Sequence, residues 1–247
     1  MSSLAKRVVV VVAVGIGVVG AAKIFGRNDD AARFAAEKNR VDAECRAYRS
    51  DPRHRHAAVC RGSDAYEPKA IPLRKSAVAA LDGARVLLAR ADTRGAEAAV
   101  RRALDVLGEL DQLGTFIAQI VANSVVRDTL DLLAAHPALD ARALLRDVRL
   151  DVHKPFEAER LQREWTLVHW NDMPGEQGRR SDGDLADEIA ANEAQFDAMH
   201  EAVVRRRDVA ACEAAAQKDL TVAVPSVLCV KVHEVVRTAA RLDAARR

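Results

Sequence analysis

A chain of 247 residues whose 38 basic and 36 acidic side chains leave a formal charge of +2 is long enough to bury a core without borrowing stability from a metal. Basic charge is spread along the chain in short clusters such as Arg179-Arg180, Arg205-Arg206-Arg207 and Arg246-Arg247, which argues against nucleic acid as a partner. Aromatics are 4% and Ala is the dominant residue, with Leu, Val, Arg, Asp and Glu abundant; of these Ala, Leu, Arg and Glu lose little on entering a helix. The expected fold is therefore all-α: an N-terminal transmembrane or signal helix followed by an antiparallel helical-hairpin array or bundle. Three parts are expected, an anchor over 1–28, a membrane-proximal helix with a disulfide-stapled loop over 29–70, and a helical domain over 71–247.

Lys6 and Arg7 precede Val8 to Ala22, fifteen consecutive apolar or Gly residues. At 1.5 Å per residue that run spans about 22 Å, short of a hydrocarbon core of roughly 30 Å. Leu4, Ala5, Ile24 and Phe25 extend it, with Lys23 reaching back to the interface. The segment reads as an uncleaved anchor. Gly20-Ala21-Ala22 also suits signal cleavage, so a soluble mature protein is the alternative. Ala13, Gly17 and Ala21 stand four residues apart and line one face with small side chains, a membrane helix-packing stripe. Lys23, Arg27, Arg33, Lys38 and Arg40 follow the segment, and that count alone favours a cytoplasmic domain.

Asp29 and Asp30 can cap a helix to about Tyr48 that places Phe34, Val41, Cys45 and Tyr48 on one face. The stretch 50–72, with Pro52, Pro68, Pro72 and Arg53-His54-Arg55-His56, reads as a short helix near Cys60 and then a connecting loop. Pro72 opens a helix to about Ala91, and Asp92 to Gly95 is turn chemistry leading into a second helix through Leu113. Gly114-Thr115 introduces a long apolar helix, Phe116 to Ala135, which His136-Pro137 ends. Asp140 caps a short helix to about Val152, and Pro155 starts another carrying Phe156, Leu161, Trp165 and Val168. After a loop over 171–183, Leu185, Ile189, Asn192, Phe196, Met199 and Val203 step by three or four. From Pro225 a last helix repeats that seam with Leu228, Val232, Val235, Ala239 and Leu242.

Cys45 with Cys60, and Cys212 with Cys229, form two local pairs, and no C-x-x-C occurs. The turn within the first pair falls at Asp51-Pro52. In the second it falls at Leu220-Thr221, just before Pro225. Residues equidistant from the turn of an antiparallel hairpin lie level, so two disulfides are predicted, Cys45–Cys60 and Cys212–Cys229. Disulfides persist in oxidising compartments, which favours a periplasmic domain over the cytoplasmic one that the charge count suggests.

The hairpin from Ala80 to Leu110 resembles the helix-turn-helix unit of TPR-like repeat proteins, without the aromatic and Pro positions of that repeat and without a 34-residue period. Leu113-Gly114-Thr115-Phe116-Ile117-Ala118-Gln119-Ile120-Val121-Ala122 resembles a helix of uncharacterised, membrane-anchored bacterial envelope proteins. The resemblance implies a cell-envelope setting.

Thr115, Gln119 and Asn123 put a polar stripe on an apolar helix, a candidate interaction surface, a buried hydrogen-bonded network or a plain exposed face. Glu193, Asp197 and His200 share a face but lack the second Glu-x-x-His of a di-iron bundle, and His200-Glu201 lacks the second His of a zincin. His54 and His56, among arginines, read as a mobile charged loop or as a pH-sensitive or anion-binding one. Trp165, His169 and Trp170 fit a ligand pocket or, at helical spacing, a core. No phosphate-cradling loop, nucleophile elbow or Cys/His arrangement occurs, so no catalytic residue, cofactor or metal is expected. The expected function is a membrane-anchored periplasmic helical protein, a protein-interaction or scaffolding module. Its alternative is a cleaved periplasmic protein that binds a small ligand or has an unrecognised hydrolytic activity.

Overall fold

The structure, a computed structural model, describes residues 29–51, 59–60, 69–173, 178–216 and 224–247, with side chains of the last stretch from Val227. Ala13, Gly17, Ala21, His54 and His56 lie outside these residues. Every regular element among the described residues is helical, with no strand. None of these helices is long and apolar enough to cross a membrane.

Helix α1 (29–50) buries Val41, Cys45 and Tyr48 on the face the spacing picks out. Helices α2 (Ala70–Ala89) and α3 (Thr93–Leu113) form an antiparallel hairpin. Pro72 is the third residue of α2 rather than its opener, a place where its missing N–H has no helical acceptor to lose. The hairpin turn is closed by Ala91 N–H donating to the Leu88 carbonyl and Asp92 N–H to that of Leu87. That geometry puts Ala91 in the left-handed region at φ 60°, a position glycine usually fills. The Asp92 carboxylate then accepts from Gly95 N–H at 2.8 Å and caps α3.

Gly114, at φ 57°, ends α3, and Thr115 starts α4 (Phe116–Ala135) by accepting from Ala118 N–H at 3.1 Å. Tyr48 Oη donates to the Gly114 carbonyl at 2.8 Å, fastening α1 to this turn. The short α5 (Ala141–Leu145) keeps its expected Asp140 cap but stops well before Val152. The Asp151 carboxylate accepts from the backbone N–H groups of His153 and Lys154, just ahead of α6 (Lys154–Val168).

Ser181 caps α7 (Asp182–His200), which passes through a π-turn at Glu201–Arg205 and breaks at Arg207, φ 57°. Asp208 caps α8 (Val209–Ala216) through Ala211 N–H at 2.9 Å. Helix α9 (Val224–Ala245) lies against α8 and along α4.

Three apolar clusters hold the helices together. One joins α2, α3, α4 and α5 with Leu242 of α9. A second joins α7, the π-turn, α8 and α9 around Phe156, and a third joins α1 with α6 and Ile189 of α7. Both expected cysteine pairs stand at disulfide distance, with Cα–Cα separations of 5.8 Å. Cys212–Cys229 crosses the α8–α9 hairpin, whereas Cys45 reaches from α1 to Cys60 in a turn.

Candidate functional site

Helix α3 turns Ala96, Ala99, Val100, Ala103 and Leu110 inward. Arg101, Asp105 and Gly108, at i, i+4 and i+7, lie along another side of the same helix. That side forms one wall of an open cleft of about 560 Å³. Gln119 of α4 lines it, as does the chain from Ala143 to Lys154. Among the described residues no Ser, Thr, Cys, His or Tyr lines it.

The charges in this cleft divide into committed and free ones. Lys154 is buried, 5% exposed, and its ammonium is paired with Asp111. Arg149 donates to the carbonyls of Arg146 and Val148, both at 2.9 Å. Asp151 is occupied by the start of α6. Arg101, Asp105 and Asp147 are exposed and make no ion pair or side-chain hydrogen bond among the described residues.

Gln119 is 5% exposed, and its Nε2 has no hydrogen-bond partner in the structure. The polar stripe is therefore neither an exposed face nor a connected network. Thr115 is the cap of α4, Gln119 lines the cleft, and Asn123 is 3% exposed with an unpartnered Oδ1. Its aspartates arrive by tertiary packing from segments far along the chain, and no local motif announces them.

A second polar cluster sits where α1, α6 and α7 meet. Glu164 is fully buried at 0% exposure. Its carboxylate accepts two bonds from Arg160, at 2.9 and 3.1 Å, one from Arg40 at 3.4 Å and one from Asn192 at 3.4 Å. Glu44 bridges the same two arginines, at 2.8 Å from each. Burial pushes Glu164 above the usual carboxylate range, against the pull of Arg160 and Arg40. Burial also works on Glu44, but there the bonds from Arg160 and Arg40 prevail and hold its carboxyl low. The i, i+4 pairs Arg40–Glu44 and Arg160–Glu164 were visible in the sequence; their convergence was not. The charges of this cluster are committed to one another across three helices, and it acts as a structural clasp.

The remaining candidates also have structural employment. Glu193 stands 3.8 Å from Arg40. Trp165 stacks obliquely on His169, ring centroids 4.7 Å apart, and packs on the α1 cluster. Trp170 Nε1 donates to the Gly178 carbonyl at 3.2 Å beneath the Arg180 guanidinium. Among the described residues no group of three or more His, Cys, Asp and Glu side chains is arranged to hold a metal. Compared with known proteins, the chain matches no family model, no curated protein and no solved structure.

His200 instead meets His153 from the start of α6, Nε2 to Nδ1 at 2.7 Å, with Phe156 edge-on to its ring. Burial, then His153 and Arg205, lower the His200 pKa against the opposing pull of Asp197 and Glu201. A histidine depressed on folding adds stability above its unfolded value of about 6.5, and that stability is lost as pH falls through the folded value. Thermal unfolding followed by circular dichroism is expected to show a drop in Tm from pH 7 to pH 5, and a smaller drop in His200→Gln. An unchanged drop in the variant would assign the pH dependence to other groups.

Proposed function

We propose that this chain is a membrane-anchored helical protein of the bacterial-type cell envelope, with its domain in the periplasm, and that it works by binding another protein through the α3–α4–α5 cleft. The carrying observation is the cleft itself, where a buried Gln119 amide without a partner lies among free charges. Buried polar groups are nearly always satisfied, so an open site that leaves one unmet is built for something that enters. The two cysteine pairs support the compartment, since disulfides persist where thiols are not kept reduced. The apolar run Val8 to Ala22 supports the anchor. A binding role suits a lining that offers no hydroxyl or thiol nucleophile.

An alkaline-phosphatase fusion at the C-terminus is expected to be active, and the four cysteines are expected to resist thiol labelling until the denatured protein is reduced. An inactive fusion would overturn the topology, and labelling of all four without reductant would overturn the disulfides. The second reading, a cleaved protein binding a small molecule, is favoured by the cleft volume, which lies within the roughly 300–1,000 Å³ of small-ligand sites. An intact mass beginning at Lys23 would select it.

A further inference from the structure

We infer that the cleft receives an extended segment of a partner protein that carries a basic side chain, whose cation is taken between Asp105 and Asp147 while Gln119 Nε2 donates to a main-chain carbonyl of the segment. The inference rests on the cleft being a protein-binding site and adds what the site selects.

Charge is the first argument. Four aspartates against three basic side chains leave the lining one negative charge. Pairing removes Asp111 and Lys154 from play, and the α6 start and the loop carbonyls occupy Asp151 and Arg149. Asp105 on α3 and Asp147 in the segment after α5 remain, two unengaged carboxylates that line the same cleft. A carboxylate pair of this kind is met best by an ammonium or guanidinium. Arg101, one turn before Asp105, makes no ion pair among the described residues, so the three free charges of the lining still sum to minus one.

The second argument is independent of charge. An unmet buried amide costs on the order of 1–3 kcal/mol, and on α4 the neighbouring inward positions are Ala118, Val121 and Ala122, so a polar residue is not needed for packing. The donor that Gln119 leaves open is the complement of a peptide carbonyl, which every extended segment presents at regular intervals. A bound segment thus satisfies the amide and the carboxylates together.

Gly108 provides the test. A Cβ at this position meets nothing within 4 Å, and its helical backbone carries no positive φ, so Gly108→Leu leaves the helix intact and puts a bulky side chain on the cleft wall beside Asp105. Binding would be measured on the oxidised full chain in mild detergent, by anisotropy of fluorescent pentapeptides with blocked ends, Ala-Ala-Lys-Ala-Ala and its Glu and norleucine counterparts. The Lys peptide is expected to saturate the protein at up to about millimolar concentration, at least about tenfold more tightly than the others, and more weakly as salt rises. Asp105→Asn with Asp147→Asn is expected to erase that preference, and Gly108→Leu to abolish binding with helix content unchanged.

A Glu or norleucine peptide that binds as well as Lys and is lost in Gly108→Leu would overturn the basic selection while leaving the cleft a peptide site. Lys-peptide binding that survives Gly108→Leu, or no saturable binding of any peptide, would overturn the inference. In the last case a photocrosslinking residue at position 101, which lines the cleft without holding the segment, separates the two levels in cells. A protein adduct retains the cleft as a protein site, and its absence removes the wider reading as well.

Discussion

Arg160→Met is expected to lower the free energy of unfolding by about 3–5 kcal/mol, the usual consequence of removing one partner from a buried ion pair. Met keeps much of the side chain's bulk, so the loss isolates the charge. Glu164, with no solvent exposure, would keep only the 3.4 Å contacts to Arg40 and Asn192. Its pKa, already raised by burial against the two arginines, rises further once the nearer one is gone. A carboxyl raised on folding gives stability at low pH that is lost as pH climbs through the folded value. The variant should therefore be less stable at pH 7 than at pH 5 relative to the parent, as read by urea unfolding of the oxidised chain through the fluorescence of Trp165 and Trp170. A loss under about 1 kcal/mol, typical of exposed pairs, with no pH trend would mean that Glu164 is not held as a buried anion.

Cys212→Ala with Cys229→Ala should cost about 3 kcal/mol, the scale for closing a loop of this length. Both cysteines are fully buried, so truncation adds a small packing loss. The effect should also be local. Helix α8 has eight residues, too few to persist without tertiary support, and the cross-link ties it to α9. Hydrogen exchange is expected to speed up most in the α8 amides. Uniform acceleration across all helices would instead mark the α8–α9 unit as inseparable from the rest.

Local signals explain what was legible in the sequence. Helix α4 has its expected bounds because Gly114-Thr115 and His136-Pro137 punctuate an apolar run, and the cysteine pairs follow from their spacing about a turn. The end of α7 was harder. The seam continues through Val203, but Arg207 turns left-handed and Asp208 begins a new helix, and only the Asp hinted at it. Helix α5 stops at Leu145, because the next residues wrap the cleft and deliver Asp151 to cap α6. Glu164 and Arg40 are 124 positions apart, and Asp105 and Asp147 sit on separate elements. Such meetings are products of packing, which no local periodicity encodes. In the cleft only Gln119 was conspicuous beforehand, as a polar residue on an apolar helix.

The order of the cysteines along the chain has a kinetic side. Four cysteines allow three pairings, and the one found joins each cysteine to the next in sequence. A chain entering an oxidising compartment amino end first presents Cys45 and Cys60 together, long before Cys212 exists there to compete. If the domain is exported as proposed, an oxidase acting on thiols in their order of arrival makes these two bonds directly, without an enzyme that reshuffles wrong ones.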